Sequence, residues 1–404
     1  MIYLDNHATT RLDPRVLEAM MPWLTERYGN AGSVTHEMGR EARAAVEAAR
    51  ERFAATVGAA PGEIVFTSGA TESANLAILG SASRSGTPPA PGGGHPHVVT
   101  VATEHRAVLD PIEHLEGRGV GVTRLGVCPQ RGDDGPPGRV RPGDLEAAMQ
   151  DGTFLVSVLL ANNEIGVVQD VATIAAIAHR CGALLHVDCA QAVGRMPVDV
   201  EALGADLASF SAHKFHGPKG AGALYVRRRR RIVRVDPLVF GGGQERGMRS
   251  GTLDVPGIVG LAEAARLAVE GLAAEAPRMR ALRDRLWSRL AAGIPGLALN
   301  GPPLDAADAT GVPVRLVNNL NVRVPGVDGQ TLLATLAADG LALSSGSACS
   351  SESPRPSHVL VALGLTADEA RASLRFGLSR FTTESEVDEA AARIVAGVAG
   401  LRRL

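Results

Sequence analysis

The chain has 404 residues, of which 45% are hydrophobic and 21% charged, and its 41 Lys and Arg against 43 Asp and Glu give a formal net charge of -2. That profile fits a globular protein long enough for two domains, and it argues against a disordered chain, a nucleic-acid binder or a protein held on an acidic membrane. No run reaches the roughly 18 apolar residues that a membrane span requires, and Met-Ile-Tyr-Leu-Asp-Asn-His at the start lacks a basic region leading into an apolar one, so the expected location is the cytoplasm.

From the N-terminus, β-branched runs alternate with helical patterns, which predicts βαβ units around a mostly parallel sheet. The expected strands are Ile64–Thr67, Val98–Ala102, Phe154–Leu160, Leu184–Asp188, Asp206–Phe210 and Ala223–Val226. Val46, Ala49, Phe53 and Val57 recur at helical spacing and form one apolar face to pack on that sheet. After Pro256 the pattern changes. Met279, Leu282, Leu286 and Leu290 share a helix face that leads into a smaller α/β region with Leu316–Val324, and the domain boundary is expected near residue 260. Arg84–His97 and Pro129–Gly143 are expected as Gly/Pro-rich loops, with His95 and His97 in a surface insertion instead of a metal site. Arg227–Arg231 is expected as a solvated strand end.

The four cysteines, Cys128, Cys181, Cys189 and Cys349, form no Cys-x-x-Cys pair and no zinc-ligand spacing with histidine, so no metal is expected and all four are taken as free thiols. Cys181 and Cys189 flank an apolar strand and are expected in the core. Cys128 has no assignment. Cys349 differs, because Ser344-Ser-Gly-Ser-Ala-Cys-Ser-Ser-Glu-Ser-Pro-Arg-Pro-Ser357 has almost no apolar side chain and is expected as an exposed loop. A thiolate in such a loop is placed to act as a nucleophile.

Three further motifs carry chemistry. Thr67-Ser-Gly-Ala-Thr-Glu-Ser73 ends a strand with a glycine turn and opens a helix, which offers backbone N–H groups and the positive end of the dipole to a phosphate, although Ser and Thr at this place also serve as ordinary caps. His186-Val-Asp-Cys-Ala-Gln191 ends a strand on a carboxylate, where α/β sheets bind ligands. Ser211-Ala-His-Lys-Phe-His-Gly-Pro-Lys-Gly220 ends another on a lysine before a Gly/Pro turn. Pyridoxal phosphate needs a lysine for its Schiff base, an acid against its pyridine nitrogen and donors for its phosphate.

With these residues the chain resembles the NifS/IscS-type cysteine desulfurases, fold type I enzymes of the class V aminotransferase superfamily. The likeness runs through Tyr3–Thr10, Thr67–Ser73, Glu104-His105, Asn162–Gly166, His186–Gln191, Ser211–Lys214, Gly241–Thr252, Ser344–Cys349 and Arg375–Thr383. The 84–97 insertion departs from it, and so does Asn6-His7, a pair at which family members vary.

The resemblance implies a large cofactor domain, residues 15–260, with a mostly parallel seven-stranded sheet. It also implies a smaller α/β domain formed by residues 1–14 and 261–404, which carries the Cys349 loop. By the same resemblance Lys214 binds pyridoxal 5′-phosphate, Asp188 faces its pyridine nitrogen, and Gln191 meets its ring hydroxyl. Thr71, Ser211 and His213 hold its phosphate, with Thr252 reaching in from the second subunit of a homodimer. His105 stacks on the ring and assists proton transfer. Asn163 and Arg375 grip the carboxylate of L-cysteine, and Cys349 takes its sulfur as a persulfide for an acceptor protein such as an iron–sulfur scaffold. Another fold type I enzyme, an aminotransferase or a selenocysteine lyase, would keep Lys214 and Asp188 while Cys349 became dispensable.

Overall fold

The computed structural model describes residues 1–84, 95–132, 135–308, 311–345 and 356–403. Cys349 and the 85–94 part of the insertion therefore lie outside the described residues, and the expectations made for them are not addressed by the fold.

The strands are β1 (Ile2–Tyr3), β2 (Ile64–Thr67), β3 (His97–Val101), β4 (Gly121–Leu125), β5 (Thr153–Leu159), β6 (Leu184–Asp188), β7 (Leu207–Ser211), β8 (Gly222–Val226), β9 (Ala298–Leu299), β10 (Asn319–Arg323), β11 (Leu341–Ala342) and β12 (Ser373–Gly377). Seven of them make one sheet in the order β2-β8-β7-β6-β5-β3-β4. All its pairs are parallel except those of β8, which runs antiparallel to both β2 and β7. Every residue of β2, β3, β7 and β8 is buried. This is why these strands read as continuous apolar runs in the sequence.

Helices cover the sheet. Glu37–Thr56 buries Val46, Ala49 and Phe53, and Phe53 meets Phe210 of β7 edge to face with centroids 5.3 Å apart. Ala70–Arg84 follows β2 directly. Val255–Gly293 starts where Asp254 accepts the Gly257 N–H at 3.1 Å, with Pro256 in its first turn. Its first half puts Ile258, Leu261 and Ala265 into the hydrophobic cluster under the large sheet. Its second half puts Leu282, Leu286 and Leu290 into another, with Ile2, Leu4, Leu320, Phe376 and Ile394. Residue 260 falls inside this helix. Around the second cluster lie the antiparallel sheet β12-β10-β9 and the parallel pair β1-β11, so the first residues of the chain pack with the last third.

Some local expectations need correction. His97 is not in a surface loop: it opens β3 with its ring buried, Nδ1 against Thr153 Oγ1 at 2.8 Å and Nε2 against Thr123 Oγ1 at 2.9 Å. Cys181 is exposed, because it follows the last residue of helix Val171–Arg180 and lies outside the core, whereas Cys189 and Cys128 are buried. Arg227 is also buried, its Nε donating to Ala205 O at 2.9 Å, so only the later part of the arginine run meets solvent.

Candidate active site

A cavity of about 420 Å³ opens over the carboxyl ends of β6 and β7. Asp188 is the last residue of β6 and Ser211 the last of β7, which brings motifs distant in sequence to one edge of the sheet. Thr71, His105, Asn163, Asp188, Gln191, Ser211, His213 and Lys214 all line this space. Thr252 and Arg375 do not.

Lys214 closes a short 3₁₀ turn, Ala212–Lys214, after β7. Its Nζ donates to the carbonyls of His7 at 2.7 Å and Ala8 at 2.8 Å, so the N-terminal segment holds the amine in the cavity. Asp188 is buried and accepts the Ala190 N–H through Oδ1 at 2.9 Å. Burial pushes its pKa up, against the pull of that hydrogen bond and of the nearby His105 and Lys214. Such a carboxylate gains most from a cation placed against it.

The other end of the cavity is built for an anion. Helix Ala70–Arg84 begins at the cavity wall, and among the described residues the N–H groups of Ala70, Thr71 and Glu72 have no acceptor. Gly69 has φ +152°, and a Cβ there would come within 3.5 Å of Ser211 Oγ, so the turn and the serine hydroxyl face the same small volume. His213 binds Thr9 Oγ1 through Nδ1 at 3.0 Å, and burial together with Lys214 and Lys219 lowers its pKa to about 4. It faces the cavity as a neutral ring.

His105 caps helix Arg106–Glu116, its Nδ1 accepting the Ala107 N–H at 3.1 Å. This fixes the ring at the cavity and marks Nδ1 as the unprotonated nitrogen; burial lowers the pKa further. Beside it, Glu104 is wholly buried, with Oε1 on the Leu159 N–H at 2.7 Å and Oε2 without a partner among the described residues. Burial, joined by repulsion from Asp188, raises its pKa well above the carboxylate range. Leu159 pairs with Asp188 across β5 and β6, so the Glu104 carboxyl lies behind that of Asp188.

Arg375 lies in β12 and is buried. Its Nη1 points to the Asn163 carbonyl at 3.4 Å, and its backbone pairs with Ser344, in the same Ser344–Ser357 stretch as Cys349. Thr252 is exposed at the end of Gly241–Thr252. Two ion pairs anchor that segment: Glu245 to Arg50 at 2.7 Å and Arg249 to Glu72 at 2.9 Å. The groups present fit pyridoxal phosphate: an amine, an opposed carboxylate, and a helix N-terminus whose N–H groups lack acceptors. Sequence reasoning missed the carbonyls of His7 and Ala8, Glu104, and Lys219 at the rim. Lys219 stands in a quoted motif and could have been named from it; the carbonyls carry no side-chain signal. Among the described residues no cluster of His, Cys, Asp or Glu could hold a metal ion.

Comparison with known proteins agrees with this geometry. The chain is 50% identical over 392 residues to "Cysteine desulfurase IscS" of Anaeromyxobacter dehalogenans (strain 2CP-C), covering 96% of this chain and 90% of that protein. It is similar to a solved "NIFS-LIKE PROTEIN" with a TM-score of 0.87 and 39% identity, over 99% of this chain and 100% of that one. A second structure, "SspA in complex with cysteine", matches with a TM-score of 0.77 and 33% identity, over 95% and 100% of the two chains. The family model described as "Aminotransferase class-V" matches residues 2–390, and the chain therefore belongs to that pyridoxal-phosphate-dependent family.

Proposed function

We propose that this protein is a pyridoxal-phosphate-dependent cysteine desulfurase, converting L-cysteine and the Cys349 thiol into L-alanine and a Cys349 persulfide. The observation that carries the reading is the meeting of Lys214 and Asp188 in one cavity with the open N-terminus of helix Ala70–Arg84. Cysteine desulfurase relatives near 50% identity over almost the whole chain support the choice of substrate.

Lys214 is the residue that binds the cofactor, Asp188 holds the positive charge of its ring nitrogen, and Gln191 meets the ring oxygen. Thr71, Ser211 and His213, with Thr252 of a second subunit, hold the phosphate. When bound, pyridoxal phosphate supplies a ring that withdraws electrons from the substrate α-carbon. The Lys214 amine then takes the α-proton, and His105 assists proton movement at the substrate. Arg375 and Asn163 hold the substrate carboxylate. The Cys349 thiolate forms an S–S bond to the substrate sulfur as the C–S bond breaks, the electron pair stays with the carbon, and a proton taken up there completes alanine. Cysteine plus thiol gives alanine plus persulfide, and no external oxidant enters.

We place residues 15–260 in a large domain and residues 1–14 and 261–404 in a smaller one, joined through helix Val255–Gly293. The enzyme works as a homodimer, in the cytoplasm, and hands its sulfur to an acceptor thiol of an iron–sulfur scaffold or another sulfur-transfer protein. Among the described residues no helix is long and apolar enough to cross a membrane.

The test is to mix cofactor-loaded protein with L-cysteine and measure alanine and the Cys349 persulfide, beside Cys349→Ala. Alanine and persulfide from the wild type alone are expected. Equal alanine from both proteins would overturn the sulfur-transfer reading.

A further inference from the structure

His7 is buried beneath the cavity, and its neighbours fix the direction of every hydrogen bond it makes. Asn319 is oriented first: its Oδ1 accepts from the Arg315 guanidinium at 3.0 Å, so the Nδ2 group is the one that reaches the Glu164 carbonyl at 3.0 Å and His7 Nε2 at 3.2 Å. Gly166 makes room for this, since a Cβ there would lie 2.5 Å from Asn319 Oδ1. His7 Nε2 faces a donor and must therefore accept. The single proton of the neutral ring sits on Nδ1, which lies 3.1 Å from Gln191 Oε1 and donates to it.

Gln191 is thereby oriented as well. Its Oε1 takes the His7 proton, and its Nε2 donates to the His7 carbonyl at 3.0 Å. One Nε2 hydrogen remains for which the described residues supply no acceptor, on a side chain that lines the cavity. Protonating His7 would set an N–H against the Asn319 amide, and burial with Arg195, Arg375 and Lys214 nearby holds the ring neutral.

We infer that His7 is a positioning residue that orients the Gln191 amide, so that the cavity offers an N–H donor, and not a carbonyl, to the ring oxygen of the cofactor. The inference rests on the cofactor reading above and deepens it: the site selects a ring whose oxygen is an ionised acceptor. The donor direction runs Arg315 to Asn319 to His7 to Gln191. A structural role alone would support binding of any ring of this shape, whereas a positioning role acts only on a ring that carries the oxygen.

The test uses full-length apoprotein reconstituted with pyridoxal 5′-phosphate or with its 3-deoxy analogue, reading Schiff-base absorbance and the dissociation constant of each. His7→Phe removes the donor and keeps an aromatic ring, and His7→Asn restores an N–H at the position of Nδ1. The ratio of the two dissociation constants is expected to shift about tenfold against pyridoxal phosphate in His7→Phe, and to return most of the way in His7→Asn. An unchanged ratio in His7→Phe, even with both affinities reduced, overturns the inference. A folded wild type that forms no Schiff base with either compound removes the cofactor reading itself, an outcome distinct from the first.

Discussion

The guanidinium of Arg375 donates from Nη2 to Asp5 Oδ1 at 2.8 Å, while its buried Nε has no partner among the described residues. The arginine is thus held through Nη2 by Asp5 and, at 3.4 Å, through Nη1 by the Asn163 carbonyl, with donor capacity left at Nε for a carboxylate. A lysine has three donors on one nitrogen and lacks the planar fork that meets Asp5 and a carboxylate in fixed directions. Arg375→Lys is expected to lower kcat/KM for L-cysteine roughly 100-fold, about 3 kcal/mol, while the absorbance of the bound cofactor stays. Steady-state kinetics with an unchanged KM would remove Arg375 from substrate binding.

Thr252 is expected to act across the dimer. It is exposed on its own chain and absent from that chain's cavity. Thr252→Ala and Lys214→Ala should each be impaired alone, and a mixed dimer should regain one site with both residues intact. Recovery of up to half the wild-type activity after co-refolding is the expected outcome. No recovery, with heterodimers shown to form, would place Thr252's effect within its own chain.

Arg50 and Glu245 form a two-bond ion pair at 2.9 and 2.7 Å with both side chains almost wholly buried. Glu245 Oε2 also accepts the Phe66 N–H at 2.8 Å, and Arg50 stacks 4.6 Å above the Phe66 ring. Glu245 and Arg246 have φ of 47° and 58°, a left-handed bend that these contacts hold in place. Removing one partner leaves a buried charge alone, so Arg50→Met is expected to destabilise the fold by about 3 to 5 kcal/mol. Urea denaturation measures this. Arg50→Met combined with Glu245→Gln should lose less than the sum of the two single changes.

Acid should weaken the fold through its buried histidines. The pKa of His186 is lowered to about 3 and those of His213 and His216 to about 4, chiefly by burial, and His7 shifts the same way. The unfolded chain takes up these protons near pH 6.5 and the folded chain does not, so the stabilisation is complete above pH 6.5 and lost as pH falls towards 4. Glu104 and Asp188, whose pKa values are raised, act in the opposite sense and reduce the slope. The urea midpoint is expected to fall steadily from pH 7 to pH 4.5. His186→Gln, which can still meet the Ser157 and Ser209 hydroxyls, should flatten that fall by about one proton.

Much of the sheet was legible because β2 and β6 to β8 are buried on both faces or nearly so and turn at Gly, Pro or Asp. Ile64–Thr67 and Leu184–Asp188 match to the residue. β4 was missed because Gly121 and Arg124 are exposed at the sheet edge and its apolar signal is weak. The two-residue strands β1 and β11 carry no periodicity at all. Within the cavity, the lysine, carboxylate and phosphate turn could be named because each sits in a local motif at a strand end. His7 and Glu104 stand in the quoted stretches Tyr3–Thr10 and Glu104-His105 but could be given no role from them, since their meaning lies in contacts: His7 meets Gln191 across 184 positions and Asn319 across 312.

The pairing of β1 with β11 sets a schedule for making the enzyme. Ile2 aligns with Leu341, Asp5 bridges Gly377, and the carbonyls that hold Lys214 belong to His7 and Ala8 just behind them. A ribosome adding about 5 to 20 residues per second releases the N-terminal segment long before its partners exist. The large sheet can assemble in the meantime, and it already holds the clasp residues, with the Thr10 N–H on the His213 carbonyl at 2.9 Å and Gln191 Nε2 on the His7 carbonyl at 3.0 Å, but Ile2–Asp5 just ahead of them stay unpaired until the C-terminal third has emerged. A product truncated before β12 would carry Lys214 and its clasp, yet it would lack Arg375 and the pairing that fixes Asp5.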